Sequence, residues 1–407
     1  MSEPLTQFGI NKASLIMQSF HELGNKTLKE LLDHYSAPEN RKTLRTWGIS
    51  EAAKMIGRTE QHIRNLEKPG GKLFDSKSKT DSTVKKRSYS LKRINEIRDA
   101  LGTRFCREDG SEPIILAVSN FKGGVAKSTT TLHLAQKCAL EGLRILCIDL
   151  DPQATLTLNF GFIPDIHLDA GDTICDALSQ DSNEIHKLIK NTYFDGISII
   201  PGNLALADME LVLSNVEKQK PLIKELGMPH ERLKKALNLV KDNYDIIILD
   251  CGPNLGILTI NAVTAANSLL VPIPPMMPDF GSYVTFTGTL STLFESINKD
   301  FDFFRLLITK HPNSNESKAI EHLMRSRFGR YMLNNHIVNS VEIEKASAQF
   351  SSVYEMPKQS SEAYKRALNC LNKVIDEILT AFKEIWTAQA IAKNTISPIQ
   401  SDFMKNL

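Results

Sequence analysis

The chain has 407 residues, 42% hydrophobic and 24% charged, with a formal net charge of +2. These are the proportions of a folded chain with room for two or three cores, and they exclude disordered and fibrous classes. Its apolar runs fall well short of the roughly 20 residues a membrane-spanning helix needs, and the opening Met1-Ser2-Glu3-Pro4 lacks the basic-then-apolar layout of a secretion signal. Six cysteines, at 106, 138, 147, 175, 251 and 370, form no C-x-x-C pair. That spacing argues against a zinc site or disulfide framework and for reduced thiols in a cytoplasmic protein.

The small net charge conceals an asymmetry. Between Arg41 and Arg107, 18 Lys/Arg face 7 Asp/Glu, a net of +11, and the remainder carries 31 against 40, a net of −9. A basic block on a mildly acidic body suits a polyanion partner; a solvated basic surface is the bland alternative.

Residues 1–40 predict a helical segment, with Ile10, Leu15, Ile16, Phe20, Leu23, Leu28, Leu31 and Leu32 at roughly helical spacing. So short a segment cannot bury that stripe by itself and should pack on another chain or the next domain. Residues 41–107 predict a winged helix-turn-helix domain. Residues 49–57 form a first helix capped by Ser50 and closed by Gly57, and residues 58–67 form the second. Ala53, Ile56, Ile63 and Leu66 make its small core, which leaves Arg58, Gln61, His62, Arg64 and Asn65 to face a major groove. The Gly/Lys/Ser-rich stretch 69–88, with Lys85, Lys86 and Arg87, reads as a wing laid along phosphates, and a further helix follows from Ser90 to Leu101. Residues 108–113 read as a polar linker.

From residue 114 apolar runs alternate with helical patterns, which predicts an α/β fold: a parallel sheet with helices on both faces. The strands are expected at 114–118, 145–149, 197–200, 246–250, 269–273 and 303–309. A long helical pattern runs from about Ser361 to Ile391, closing a domain of residues 114–392. Residues 393–407, with Ser397 and Pro398, read as a frayed tail.

The first strand leads into Ser119-Asn120-Phe121-Lys122-Gly123-Gly124-Val125-Ala126-Lys127-Ser128-Thr129, and a helical pattern leads out. Strand, Gly-rich loop and helix together form the context of a phosphate-binding loop. Backbone N–H groups of residues 123–129 would surround phosphate oxygens at a helix N-terminus. Lys127 would reach the β- and γ-phosphates, and the Ser128 hydroxyl would sit on Mg²⁺. The strict pattern G-x-x-x-x-G-K-[ST] is not met, because Phe121 and Ala126 occupy its glycine positions. Two more strands end in carboxylates: Asp149 and Asp151 in D-L-D-P-Q, and Asp250 before Cys251-Gly252-Pro253. Open α/β sheets bind ligands beyond such strand ends.

The loop K-G-G-x-x-K-[ST] resembles the deviant Walker A loop of the ParA/MinD superfamily of dimeric ATPases, and the chain resembles the long ParA partition proteins over roughly residues 41–385. The resemblance implies ATP and ADP with Mg²⁺ as cofactors. It gives Lys122 a role across a homodimer interface, Asp151 the positioning of the attacking water, and Asp250 the Mg²⁺ through water. Asp149 would support Mg²⁺ hydration or loop geometry. The loop 271–278, with Pro272 and Pro274, resembles the family's adenine-side loop, and Thr309-Lys310 would border the base. The N-terminal helix would build a dimer. Non-specific DNA would be held by the ATP dimer through Lys365 and Arg366, or through Arg325, Arg327 and Arg330. A ParB-like centromere-binding protein would stimulate hydrolysis, and the winged domain would bind operator DNA and repress the protein's own operon at the nucleoid. Three competitors fare worse. A MinD-like division ATPase needs a basic amphipathic C-terminus, and the residues after Phe382 hold only Lys383, Lys393 and Lys405 as cations. An ATP-independent transcription regulator would tolerate a broken loop. An iron–sulfur reductase needs paired cysteines, and Cys251 has none nearby in sequence.

Overall fold

The computed structural model describes residues 12–35, 42–73, 88–356 and 360–404. Lys85, Lys86 and Arg87, the expected wing tip, lie outside the described residues. The first helix, α1 (Lys12–Tyr35), leaves Leu15, Ile16, Met17, Phe20 and Leu23 between 45% and 65% exposed.

The next elements form a small unit: β1 (Trp47–Gly48), α2 (Ile49–Ile56), α3 (Glu60–Glu67), β2 (Ser88–Tyr89) and α4 (Leu91–Leu101). Gly57, at φ 72°, ends α2 in the left-handed conformation glycine adopts without penalty. Thr59 then opens α3 by accepting a hydrogen bond from His62 N. The expected cap of α2 is corrected. Ser50 lies inside the first turn and Gly48 holds the cap position with no side-chain bond. The cause is antiparallel pairing of Trp47 and Gly48 with Tyr89 and Ser88, which keeps the chain extended up to Gly48. Ala53, Ile56 and Ile63 are buried as expected, with Trp47, Tyr89, Leu91, Ile94 and Ile97 beside them.

This unit sits directly on the larger body. The buried Arg98 donates to Met55 O (2.8 Å) and Leu140 O (3.0 Å), and Asn95 Nδ2 donates to Asp195 Oδ2 (2.8 Å). The segment expected as a linker is also tied down. Ser111 is buried, Glu112 N donates to Gln389 Oε1 (3.0 Å), and Lys241 pairs with Glu112 at 2.6 Å.

The body is a seven-stranded sheet of β3 (Ile114–Val118), β4 (Ile145–Leu150), β5 (Lys190–Asn191), β6 (Ile197–Ile200), β7 (Ile246–Cys251), β8 (Ser268–Ile273) and β9 (Phe303–Ile308). Their order is β5-β6-β4-β7-β3-β8-β9, and every pairing except β5 with β6 is parallel. The six expected strands are all present. The seventh, β5, is a two-residue polar edge that carries no apolar run. Alternate residues of each strand feed two cores. Ile114, Leu116 and Val118 face α5 (Lys127–Glu141) and the terminal helix Glu362–Met404, together with the core of the small unit. Ile115 and Ala117 face the helices Ile257–Ala265 and Met277–Ser296. At the far edge Leu333 N and Ile337 N donate to Leu306 O and Ile308 O, each at 2.9 Å, which covers β9. The terminal helix continues through Met404, so the stretch 393–404 expected as a frayed tail is helical, Pro398 included.

Candidate functional site

Three strands that neighbour one another, β4, β7 and β3, end at one place, and their last residues and following loops build the site. β3 hands over to the Gly-rich loop, which side chains from neighbouring strand ends hold in shape. Asn120, buried, donates through Nδ2 to Pro272 O (2.8 Å) and accepts from Lys122 N (3.1 Å). Thr309, just past β9, donates to Val125 O at 2.9 Å. Thr309, expected beside a base, is therefore a brace for the loop, and Pro272 acts through its carbonyl. Pro274 O accepts from Met276 N (2.9 Å) as the chain turns into the helix Met277–Ser296. Gly124 and Ala126 both adopt left-handed angles, φ 75° and φ 70°. Ala126 thus keeps the backbone conformation of the glycine it replaces, at a strain of about 1–2 kcal/mol. Its carbonyl accepts from Thr130 N (2.9 Å) and starts α5.

The two lysines of the loop have different surroundings. Lys127 is 6% exposed, and its Nζ donates to Asn120 O (3.1 Å) and Lys122 O (3.0 Å). Burial lowers its pKa and Asp250 opposes that shift. Lys122 is 36% exposed, and its Nζ lies 3.0 Å from Asp279 Oδ1 in the first turn of the helix Met277–Ser296.

Asp149 and Asp250 are cross-strand partners on β4 and β7, both fully buried. Burial raises the pKa of each, and in Asp250 the Asp149 charge adds to the effect. Their hydrogen bonding separates them. Asp149 Oδ2 accepts from Thr157 N (2.9 Å) and Thr157 Oγ1 (2.7 Å), and Oδ1 accepts from Asp151 N (3.2 Å). These bonds tie Asp149 to the turn between Asp151 and Thr157. Asp250 Oδ1 accepts from Thr131 Oγ1 (3.1 Å), and its Oδ2 is buried with no hydrogen-bond partner. An orphaned carboxylate oxygen at a strand end, beside the loop that carries Ser128, suits a hydrated divalent cation. Among the described residues no group of three or more His, Cys, Asp or Glu side chains gathers to hold a metal by itself.

Asp151 is half-buried. Its Oδ1 accepts from Gln153 N (2.9 Å) and its carbonyl accepts from Ala154 N (2.8 Å). Ala154, at φ 52°, is a second strained alanine, and α6 (Thr155–Asn159) follows it. Gly202 N donates to Thr157 Oγ1 at 2.8 Å, and a Cβ on Gly202 would sit 3.1 Å from Asp149 Cγ. Asn120, Thr157, Gly202 and Asp279 were not among the residues read from sequence as site ligands. Only Asn120, next to the loop, and Thr157, a polar residue in an apolar turn, left a local signal.

The candidate nucleic-acid residues lie apart from this site. Arg58, Gln61, His62, Arg64 and Asn65 are all exposed on one surface of the small unit. Arg64 pairs with Glu60 (3.1 Å), Gln61 bonds Asn65 (3.3 Å), and Arg58 and His62 line a cavity of about 570 Å³ at the α2–α3 turn. On the terminal helix Lys365 pairs with Glu362 (2.8 Å), and Arg366 lines a cavity of about 510 Å³ with Lys373 and several asparagines. Arg325 is bound to Glu321 (2.7 Å) and to the carbonyls of Leu333 and Asn334, so it serves the local fold.

A central strand feeding a phosphate-type loop, flanked by a carboxylate-ended strand in a mostly parallel sheet, defines the P-loop nucleoside triphosphatase fold, here in its two-lysine form. Residues 114–303 match the family model described as an AAA domain. The chain is 36% identical over 351 residues to protein SopA of Escherichia coli K12, covering 84% of this chain and 89% of that one. It is 33% identical over 371 residues to a putative replication protein A of Rhizobium rhizogenes, covering 86% and 89%. A solved partition protein superposes with a TM-score of 0.63 over 91% of this chain and 97% of its own, at 20% identity. The chain belongs to the ParA family of DNA-partition ATPases.

Proposed function

We propose that this protein binds ATP and Mg²⁺ in the loop 122–129 and hydrolyses ATP slowly, as the switch of a DNA segregation system. The observation that carries the reading is the contrast within one loop, with Lys127 buried beside Asp250 and Lys122 half-buried and paired with Asp279. A bound Mg²⁺ would neutralise charge between the β- and γ-phosphates. Backbone N–H groups from Gly123 to Thr129 cradle phosphate oxygens, and Lys127 exchanges its loop carbonyls for them. Ser128 and Asp250 would hold the cation. Asp151 orients the attacking water, held in place by the Asp149–Thr157 clamp. Lys122 leaves Asp279 to reach the nucleotide of a second copy, which makes closure of the homodimer depend on ATP.

The closed dimer binds DNA without sequence preference, and a centromere-binding partner of the ParB type accelerates hydrolysis and releases it. The unit at 41–107 acts as a winged helix-turn-helix that reads operator DNA through Arg58, Gln61, His62, Arg64 and Asn65 and represses the protein's own operon. Lys365 and Arg366 are the proposed contacts to non-specific DNA, with the weight on Arg366 because Lys365 already faces Glu362. Among the described residues no helix is long and apolar enough to cross a membrane. A purely ATP-independent regulator is the weaker reading, since it gives no reason to bury Lys127 beside an unpartnered Asp250 oxygen. The test is the ATPase rate with and without non-specific DNA and the partner. A protein that binds DNA identically in ATP, ADP and no nucleotide, and hydrolyses nothing under any of these conditions, would sink the proposal.

A further inference from the structure

Away from the nucleotide loop, a buried polar cluster centres on Lys42 and Glu355, which lie 313 positions apart in sequence. Lys42 Nζ donates to Asn159 O (2.8 Å), Tyr193 Oη (3.2 Å) and Glu355 Oε1 (3.0 Å), and it also contacts Phe350 O. Both side chains are nearly buried, at 12% and 9% exposure. The lysine stem lies over Gly161, whose φ of 86° is the left-handed conformation that glycine adopts without strain. Glu355 Oε2 in turn accepts from Gln136 Nε2 (2.9 Å) on α5 and from Ser352 N (2.8 Å). An ammonium with three donors and several carbonyl and hydroxyl acceptors, placed this deep, fixes the positions of everything it touches.

What it touches matters for the reaction. Asn159 is the last residue of α6, the five-residue helix that follows directly on Asp151-Pro152-Gln153-Ala154. That segment is fastened to the body by Asp151 N and Thr157 on Asp149, by Gly202 on Thr157, by the buried Leu156, and at its far end by Asn159 O on Lys42. On the other side, residues 43–46 alone separate Lys42 from β1 of the N-terminal unit. Lys42 therefore joins the N-terminal unit, through a four-residue connection, to the far end of the segment that holds Asp151.

We propose that Lys42 is a positioning residue for ATP hydrolysis, through which the N-terminal unit sets the placement of Asp151. The proposal rests on the reading of Asp151 as the water-orienting residue. Lys42 touches neither nucleotide nor water; it acts by holding the carbonyl end of α6.

The test uses the full-length protein and three variants: Lys42→Met, the double variant Lys42→Met/Glu355→Gln, and Asp151→Ala as control. Turnover number, ATP affinity and melting temperature are measured for each. Lys42→Met should lower kcat on the order of 10–100-fold, the scale at which a small misplacement costs rate, with ATP affinity within about twofold of wild type. The double variant removes the uncompensated buried charge that the single variant leaves on Glu355, so it should recover the melting temperature. Its kcat should stay low. If Lys42→Met does not fold, the double variant carries the same comparison. Recovery of kcat in step with melting temperature would mean a purely structural role and overturn the proposal, as would wild-type kcat in either Lys42 variant beside an inactive Asp151→Ala. Wild-type turnover in Asp151→Ala brings down the reading of Asp151 itself, and the Lys42 proposal with it.

Discussion

The strand-end site and the exposed face of the small N-terminal unit both gather polar side chains, and they do so on opposite terms. At the strand ends Asn120, Lys127, Asp149, Asp250 and Thr309 are buried, and nearly every polar atom has one specific partner, often on a neighbouring strand. On the α2–α3 face Arg58, Gln61, His62, Arg64 and Asn65 are exposed, and Arg64, Gln61 and Asn65 bond within one helical turn. Exposed pairs of that kind contribute only about 0.3–0.5 kcal/mol and are readily exchanged for a ligand. Buried groups cannot be exchanged without a replacement partner, so the first region is set for one chemistry and the second for a polyanion met from solution. Single substitutions should therefore act as switches in the first region and as gradual weakenings in the second.

The sharpest break expected is Asp151→Ala. Losing the water-orienting carboxylate should lower hydrolysis by several orders of magnitude, and ATP binding should survive because the phosphate and cation contacts remain. Single-turnover hydrolysis alongside nucleotide binding checks this; a wild-type rate would transfer the role to another residue. Next in size, Arg64→Ala should weaken operator binding by about 1–3 kcal/mol if the guanidinium reads a base, and evenly across sequences if it holds phosphate. Titrating operator and scrambled DNA separates these outcomes, and no change on either would remove Arg64 from the interface. The ATP-dependent, sequence-independent binding should fall steeply with salt, and Arg366→Glu should lower both affinity and salt slope. An unchanged slope would move the contact elsewhere. The smallest effect belongs to Ala126→Gly. It removes a left-handed strain of about 1–2 kcal/mol but adds unfolded-state entropy worth roughly 0.4–1 kcal/mol, for a net gain below about 1.5 kcal/mol. Chemical denaturation measures it, and a clear loss of stability would show that the alanine methyl is needed for packing.

Much of this arrangement was legible in the sequence because it is local. Six strands announce themselves as apolar runs, the loop lies within eleven residues, and Asp151 and Asp250 stand at strand ends. What stayed hidden is non-local or compositionally silent. β5 is two polar residues held by pairing with β6. The cap of α2 is displaced because a strand closes against Tyr89, far along the chain. Terminal-helix residues beyond 393 continue through Pro398 although their composition suggests a tail. Thr309 braces Val125 across 184 positions, and Lys42 meets Glu355 across 313. No spacing rule reaches that far; such partners exist only once the sheet order is known. Lys122 is an intermediate case, where the motif drew attention to the lysine and only the fold revealed Asp279 beside it.

The central claim, that one loop carries two lysines with separate tasks, is tested most directly by comparing Lys127→Ala with Lys122→Ala. ATP binding is measured for each, with sedimentation of the same samples in ATP and in ADP. The account predicts that Lys127→Ala loses ATP binding altogether, whereas Lys122→Ala binds ATP nearly as wild type yet gains none of the association that ATP, over ADP, gives the wild type. Equal loss of ATP binding in both variants, or an ATP dimer formed normally by Lys122→Ala, would contradict it.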